Sequence, residues 1–268
     1  MAPIGQIDKF LAKARQEGIH SAIVSAARFA LRKLGIRGYE KPYEYVQTDV
    51  GRNLHCYLRV RCSGVQQIII VGAHFGNEVL PMLRKYPEVK FHLFEASPRY
   101  INTLNKRFAS EQRVRIHGCA VSDSDGTSTF FETNLDGSGS LLQVGDLARD
   151  IYGAKPAESY SVETTRLDTH ARMNGYAHEM IACLWMDVQG AEMRVLRGAR
   201  DMLTRTHSVF TEISIVSPLY EGGAMFHELE EYLRGFGFQV VSIGTDAANG
   251  TGNALFVRAA DTGGNSRK

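Results

Sequence analysis

The stretch QIIIVGAHFG at residues 67–76 decides the fold class, because a short apolar run passes directly into a turn containing glycine. An apolar run of this length is typical of a strand that is buried on both faces of a parallel sheet. Gly72 permits a tight turn after the strand, and Gly76 lets the next helix begin close to a ligand. We therefore predict a ligand-binding turn at the carboxyl end of this first main strand.

Strands and helices alternate along the rest of the chain, which predicts a doubly wound α/β fold with a mostly parallel sheet and helices on both faces. The last two strands are separated by only a turn-rich segment, so the final strand can enter the sheet antiparallel. The predicted strands after the first span residues 90–95, 113–121, 180–187, 209–215, 238–243 and 254–258.

The flanking segments differ from this main domain. Apolar residues at helical spacing predict helices over 6–17 and 19–34, and alternation over 43–60 predicts a β-hairpin. Residues 122–160 are rich in Gly, Ser and Asp, which favours an edge hairpin and a long mobile loop. We divide the chain into an N-terminal helical extension (1–40), a main domain (41–260) and a disordered tail (261–268).

Composition narrows the classes of partner and location. A formal net charge of +2 does not favour nucleic acid as the main partner. Residues 1–38 carry seven basic side chains and two acidic ones. This excess of positive charge predicts either a solvated helix face or a surface that touches a membrane. The four cysteines form neither a disulfide framework nor a metal-binding pattern. No apolar stretch is long enough to span a bilayer and no signal peptide is evident, so we expect a cytoplasmic protein.

A carboxylate follows the second strand. Glu95 is placed to accept hydrogen bonds from both ribose hydroxyls of an adenosine bound beside Gly72. A dinucleotide fingerprint would have glycines at positions 74 and 77, where this chain has His74 and Asn77. Those glycines allow a pyrophosphate to approach the backbone, so their absence favours an adenosine ligand without phosphates. S-adenosylmethionine is the common ligand of this kind, and its methionine end would lie over residues 72–78.

Three acids gather where later strands end. Asp187 ends the fourth strand, Glu192 lies in the first turn of the next helix, and Glu212 interrupts the apolar fifth strand. A carboxylate at the end of a buried strand is costly unless it binds something, although Glu192 could simply stabilise its helix start. We predict that Asp187 lies near the sulfonium or acts as general base, and that Glu192 and Glu212 orient the acceptor. His74 is the alternative base.

The chain resembles the FkbM-type methyltransferase family over roughly residues 45–258. The segments that carry the resemblance are VGAHFGNE (71–78), FEASP (94–98), AVSDSDGTSTFF (120–131), SGSLLQ (138–143), VETTRLD (162–168), WMDVQGAEMRVLRGA (185–199) and FTEISIVSPLYEGGAMF (210–226). The resemblance implies a seven-stranded, Rossmann-like class I methyltransferase fold, S-adenosylmethionine as donor, and acceptor hydroxyls on sugars or secondary metabolites. The main domain would then be a methyltransferase domain.

The chain departs from the family at three positions. Ile70 replaces an Asp before the first glycine, His74 replaces an Asn, and Gln189 replaces a Glu. Ile70 cannot bind the ammonium of the ligand, so Glu78 or Asp187 would have to substitute for the missing carboxylate. The predicted cofactor-binding residues are Gly72, Ala73, His74, Gly76, Asn77, Glu78, Glu95, Ala96, Ser97, Val121, Ser122, Asp187 and Gln189.

Two other functions stay open at this point. One is an NAD-linked sugar-nucleotide enzyme, and the other is a catalytically inactive module that binds S-adenosylmethionine. The expected acceptor is a small molecule or glycan, held by the loop at 132–160 and by residues 218–223. Tyr220 and Phe226 could stack on a sugar ring there. The N-terminal helices could cover the cofactor site, form a homodimer, or lie against a membrane.

Overall fold

The structure is a computed structural model that describes residues 66–246 and 250–258, together with Val50, Gly51, Leu54 and Leu58. The predicted helices at 6–17 and 19–34 and the predicted tail at 261–268 lie outside the described residues. None of the described helices is long and apolar enough to cross a bilayer.

The described elements alternate as expected. The strands are β1 (Gln67–Val71), β2 (Lys90–Phe94), β3 (Val114–His117), β4 (Ala120–Val121), β5 (Gly126–Thr133), β6 (Pro156–Thr165), β7 (Ile181–Met186), β8 (Thr206–Ser214), β9 (Phe238–Asp246) and β10 (Thr251–Arg258). The helices are α1 (Val79–Lys85), α2 (Pro98–Arg107), α3 (Asp146–Tyr152), α4 (Leu167–Met173), α5 (Glu192–Arg197), α6 (Arg200–Leu203) and α7 (Phe226–Arg234).

The main sheet has seven strands in the order β3-β2-β1-β7-β8-β10-β9. The first five strands of this order pair in parallel, and β10 is antiparallel to both of its neighbours. This arrangement confirms the predicted doubly wound, mostly parallel sheet with an antiparallel last strand. The strand order reverses between β1 and β7, and in such sheets ligands bind at the carboxyl ends of the strands at that point.

The strand register brings the predicted site residues to one edge. Val71 at the end of β1 lies opposite Phe94 at the end of β2 and opposite Met186 at the end of β7. The residues directly after these three are Gly72, Glu95 and Asp187. They therefore emerge side by side at the switch point, although they are far apart in the sequence.

The two faces of the sheet belong to different cores. Ile69 and Val71 of β1 pack in one core with Leu184 and Met186 of β7. The alternate side chains of the same strands, Ile68, Ile70, Cys183 and Trp185, pack in or against the second core. Because successive side chains of a strand point to opposite faces, burial on both faces explains the continuous apolar runs in the sequence.

The prediction for residues 113–160 was partly wrong. The predicted strand 113–121 is two strands, and only the first of them, β3, joins the main sheet. Within residues 122–160, β5 and β6 form the predicted antiparallel pair, but in a separate sheet with β4, and α3 lies in the segment predicted as a loop. This region contains a third apolar core that includes Phe130, Leu142 and Val162. The Gly-, Ser- and Asp-rich composition gave no indication of this core.

The predicted hairpin at residues 43–60 was wrong at the residues that the structure describes. Val50, Gly51, Leu54 and Leu58 are helical. Val50, Leu54 and Leu58 are buried and pack in the second core at a spacing of four residues. A spacing of four satisfies both the strand period of two and one face of a helix, so alternation alone could not separate the two structures.

Candidate active site

A cavity of about 280 Å³ opens at the carboxyl ends of β1, β2 and β7. Its volume is at the lower end of the range for small-molecule sites. The turns after these strands form one side of the cavity, and residues of the small sheet and of the segment after β5 form the other. The cavity therefore lies where the topology alone places a ligand.

The turn after β1 can be made only by glycine. Gly72 has a φ of 82°, and a Cβ atom there would lie 1.8 Å from the carbonyl oxygen of Asp187. The N–H groups of Gly72 and Ala73 both donate to the carbonyl of Phe94 at 3.0 Å. Gly76 serves packing, because its added Cβ would meet the ring of Phe108 at 2.8 Å.

Glu95 is fixed by two backbone donors. The N–H of His74 donates to Oε2 at 2.7 Å, and the N–H of Ser97 donates to Oε1 at 2.8 Å. Burial raises the pKa of Glu95, and these two backbone hydrogen bonds act against that rise. The side chain is 6% exposed and lines the cavity, so its remaining lone pairs are available to a ligand with paired hydroxyl groups.

His74 is a half-buried residue of the glycine turn. Its backbone has a φ of 48°, and its ring packs against Tyr100 with a centroid distance of 4.2 Å. Its Nε2 is buried and lies 3.5 Å from Oδ2 of Asp136, without hydrogen-bond geometry. The imidazole therefore joins the glycine turn to the segment after β5.

Gln189 organises two of the predicted acids. Its Nε2 donates to Oδ1 of Asp187 at 2.6 Å and to Oε2 of Glu212 at 3.2 Å. Its Oε1 accepts from the hydroxyl of Tyr220 at 2.9 Å, and its backbone has a φ of 56°. A glutamate at position 189 would place another negative group between the two acids, whereas the amide donates to both.

The two acids have different protonation behaviour. Burial raises the pKa of Glu212 well above its ordinary value, and the charge of Asp187 adds to this effect. Burial also raises the pKa of Asp187, but hydrogen bonds from Gln189 and Glu212 oppose that rise. The stronger rise at Glu212 favours Glu212 as the protonated member of the pair, with Asp187 as its acceptor. The Asp187 side chain is exposed and lines the cavity.

The charge of the cavity suits a cationic ligand. The described lining residues include four carboxylates, Glu78, Glu95, Glu132 and Asp187, and no lysine or arginine. A pyrophosphate is disfavoured in these surroundings, whereas a sulfonium and an ammonium are favoured. S-adenosylmethionine carries both cations on an adenosine, so the residues that form this cavity fit it. Nowhere in the described parts of the chain do three or more His, Cys, Asp or Glu side chains form a candidate metal site.

Residues 71–240 match the methyltransferase FkbM domain. The chain belongs to the FkbM methyltransferase family. It is therefore an S-adenosylmethionine-dependent methyltransferase, which confirms the predicted family, enzyme class and cofactor and decides against the NAD-linked alternative.

Several known proteins are similar to this FkbM methyltransferase. The 2-O-methyltransferase NoeI of Sinorhizobium fredii is 31% identical over 176 residues, which cover 63% of this chain and 71% of NoeI. Methyltransferase sdnD of Sordaria araneosa is 29% identical over 181 residues, which cover 58% of this chain and 67% of sdnD. Among solved structures, Aeropyrum pernix fibrillarin with natively bound S-adenosyl-L-methionine matches with a TM-score of 0.43 and 13% identity, over 73% of this chain and 67% of fibrillarin.

The FkbM domain places most of the predicted site residues at the cavity, but not all of them. Asn77 accepts from Arg107 at 2.7 Å, and the Ser122 hydroxyl donates to Asp123 at 3.2 Å. Those that line the cavity are Gly72, His74, Glu78, Glu95, Ala96, Ser97, Val121 and Asp187. Those that do not are Ala73, Gly76, Asn77, Ser122 and Gln189, while Glu192 and Glu212 line a small neighbouring pocket.

Sequence reasoning missed cavity residues that come from outside the main sheet. Phe130 and Glu132 of β5 both line the cavity. Their spacing of two residues puts both side chains on one face of a strand, and that alternation is the signal that could have found them. Trp185 and Phe210 were placed in strands but were not recognised as cavity residues.

Glu192 provides a stability test within this site. It is 3% exposed, and its Oε1 accepts from the N–H groups of Val188 at 3.2 Å and Gly190 at 3.3 Å. Burial, with a contribution from the Asp187 charge, raises the pKa of Glu192 to about 7. Between pH 4.5 and about 7, Glu192 is therefore protonated in the folded protein but ionised in the unfolded chain. The free energy of unfolding falls as the pH rises through this window.

We expect Glu192→Gln to remove this part of the pH dependence. An amide oxygen can still accept both backbone hydrogen bonds, but the amide never becomes charged. At each pH, the free energy of unfolding of wild type is subtracted from that of the variant. This difference should be larger at pH 8 than at pH 5, by at most about 3 kcal/mol. Denaturant unfolding of both proteins at the two pH values measures it, and an equal difference at both pH values would contradict the assignment.

Proposed function

We propose that this protein transfers a methyl group to a hydroxyl oxygen of a small molecule, with a sugar or glycan as the preferred acceptor class. The observation that carries the proposal is the carboxylate of Asp187, which lines the cavity directly after the strand next to the glycine turn. S-adenosylmethionine supplies an electrophilic methyl carbon, and a hydroxyl oxygen attacks such a carbon far better once its proton is removed. Asp187 is placed to take that proton.

The transfer to oxygen has support from the relatives. NoeI is named a 2-O-methyltransferase, and it is 31% identical to this chain. A carboxylate with a raised pKa is a stronger base than an ordinary aspartate, which suits an alcohol rather than an already nucleophilic amine or thiol. Glu212 strengthens this arrangement because its proton holds Asp187 in place.

A row of side chains beside the acids supports a sugar acceptor. Ile70, Trp185 and Phe210 are register partners across β1, β7 and β8, so they lie on one face of the sheet, and all three line the cavity. The rings of Trp185 and Phe210 are 4.2 Å apart. Asn253, opposite Glu212 in the register of β8 and β10, adds an amide at the end of the row. Aromatic faces beside amide and carboxylate groups suit the apolar face and the hydroxyls of a pyranose.

The sequence placed the acceptor on different aromatic residues. Tyr220 and Phe226 are 4% and 6% exposed. The Tyr220 hydroxyl is occupied by Gln189 and by the carbonyl of Ser138, and Phe226 packs in the core. Neither ring can stack on a sugar without leaving its place, so the half-buried Trp185 takes this role in the proposal.

The proposal is tested by incubating the protein with S-adenosylmethionine that carries a labelled methyl group. The acceptors are a panel of methyl pyranosides, a phenol, an amine and a thiol, and the products are identified by mass spectrometry. We expect a labelled methyl ether on a pyranoside. Transfer to nitrogen or sulfur alone, or tight cofactor binding without transfer to any acceptor, would overturn the proposal, and the second result would indicate an inactive binding module.

The tryptophan provides a direct measurement of acceptor binding. The chain contains one tryptophan, so its emission reports on Trp185 alone. In the presence of S-adenosylhomocysteine, we expect a methyl pyranoside to quench or shift this emission, and Trp185→Ala to raise the KM for the acceptor about tenfold, which is ~1.4 kcal/mol. Trp185→Phe keeps an aromatic face, so the KM for the acceptor should rise less in this variant. An emission that responds to S-adenosylhomocysteine but to none of the pyranosides contradicts this placement.

A further inference from the structure

Glu132 is a buried carboxylate that comes from the small sheet rather than from the main one. It is 6% exposed and lines the cavity from β5. Its Oε1 accepts from the hydroxyl of Ser97 at 2.6 Å and from the hydroxyl of Tyr160 at 2.7 Å. Two short hydrogen bonds to one oxygen fix the orientation of the whole carboxylate.

The second oxygen of Glu132 is left for a ligand. Among the residues that the structure describes, no hydrogen bond to Oε2 is found, and Glu132 lines the cavity. A Cβ atom on Gly139 would lie 3.0 Å from Oε2, so the glycine keeps the space beside it open. An unpaired carboxylate oxygen in such a buried place is costly unless a ligand donates to it.

Ser97 joins Glu132 to the predicted ribose site. Its N–H donates to Glu95 at 2.8 Å, and its hydroxyl donates to Glu132 at 2.6 Å. The charge of Glu132 also contributes to the raised pKa of Glu95, after the larger effect of burial. The two carboxylates therefore form one rigid unit in which each has free acceptor capacity toward the same cavity.

The surroundings of Glu132 suit a flat base. Ala120, Val121, Phe130 and Leu141 also line the cavity, and all four are buried. Ser122, one of the predicted cofactor-binding residues, instead donates to Asp123 and does not line the cavity. The hydroxyl of Ser140, which does line the cavity, already donates to the carbonyl of Gln189 and accepts from the N–H of Leu142.

We propose that Glu132 is a specificity-determining residue that accepts a hydrogen bond from the exocyclic amine of the adenine, while Glu95 holds the ribose. An amino group donates to the carboxylate oxygen, whereas the carbonyl oxygen of a hypoxanthine base would face it as a second acceptor. The site then selects adenosine over inosine, because Glu132 accepts a hydrogen bond from the adenine amine and repels the hypoxanthine carbonyl oxygen. Tyr160 is the positioning residue, because burial and the charge of Glu132 raise the pKa of its hydroxyl and keep it a donor.

The test is calorimetric binding of S-adenosylhomocysteine, its inosine analogue and its 2′-deoxyadenosine analogue, without any acceptor. Wild type should bind the adenosine form at least about tenfold more tightly than the inosine form. Glu132→Leu, which keeps the size but loses the acceptor, should bind the adenosine form about tenfold more weakly and lose the discrimination between bases. Its discrimination between ribose and deoxyribose should remain.

Tyr160→Phe and Glu158→Gln complete the set. Tyr160→Phe should reduce the discrimination in part, because Glu132 keeps only one of its two fixing bonds. Glu158, an exposed carboxylate on the same sheet, is the control for loss of one negative charge, and its variant should match wild type. Equal binding of both bases by wild type would overturn the proposal even if Glu132→Leu failed to fold. So would a Glu132→Leu variant that changed selection for the ribose hydroxyl only.

Discussion

Asp187→Asn is expected to lower kcat for methyl transfer by about 10²–10⁴-fold while S-adenosylmethionine binding changes by less than about tenfold. Asparagine occupies the same space at the end of β7 but cannot take a proton from the acceptor hydroxyl. The backbone N–H of residue 187 donates to the carbonyl of Val71 at 3.0 Å, and this bond does not depend on the side chain. The loss should therefore appear in the chemical step, measured by single-turnover transfer of the labelled methyl group.

Glu212→Gln is the matched control for this experiment. Glu212 holds its proton and donates to Asp187, and a neutral amide can make the same donation. We expect this variant to lose no more than about tenfold in kcat. A loss from Glu212→Gln as large as that from Asp187→Asn would contradict the assignment of Asp187 alone as the base.

The pH profile of kcat gives a second test of the same assignment. The reaction requires ionised Asp187, so kcat should fall as the pH is lowered through the pKa of this group. Because burial raises that pKa, the acid limb should lie above the ordinary aspartate value of 3.8. A limb at or below this value would mean that Asp187 is not the titrating base.

The position of the site could be predicted from the sequence because it depends on local signals. Each of Gly72, Glu95 and Asp187 directly follows an apolar strand, and adjacent parallel strands end at one edge of the sheet. The reversal of strand order between β1 and β7 then follows from the fold class. The ligand class could be predicted because two glycines that a pyrophosphate requires are missing. The chain has His74 and Asn77 at those positions.

The rest of the site depends on pairings between distant segments. Glu132 reaches the cavity only because β5 pairs with β6, and the register of that pairing is not encoded in either strand alone. Gln189 was read as a ligand contact, but its amide lies between two acids that are 25 residues apart in the sequence. Val50, Leu54 and Leu58 fit both the strand period and one face of a helix, so the sequence pattern alone could not separate the two structures.

Glu95→Gln is expected to weaken binding of S-adenosylmethionine by about 100-fold, although the substitution changes one atom. Each oxygen of Glu95 already accepts from a backbone N–H, one from His74 and one from Ser97. In either orientation, the amide nitrogen of glutamine would face one of these N–H groups, donor against donor. Charge-assisted hydrogen bonds to the ribose are also lost, at about 1.5–3 kcal/mol each.

The pH dependence of binding separates this account from simple misfolding. In wild type, affinity should fall as the pH is lowered through the raised pKa of Glu95, because the protonated form loses acceptor capacity. The variant has no charge at this position, so its weaker binding should lack that acid limb. Calorimetric titration of both proteins with S-adenosylmethionine between pH 4.5 and 8, with melting curves alongside, measures both effects. A variant that binds as tightly as wild type at pH 8 would show that Glu95 does not bind the ribose. Another carboxylate of the cavity would then have to bind it, and Glu132 would be the first candidate.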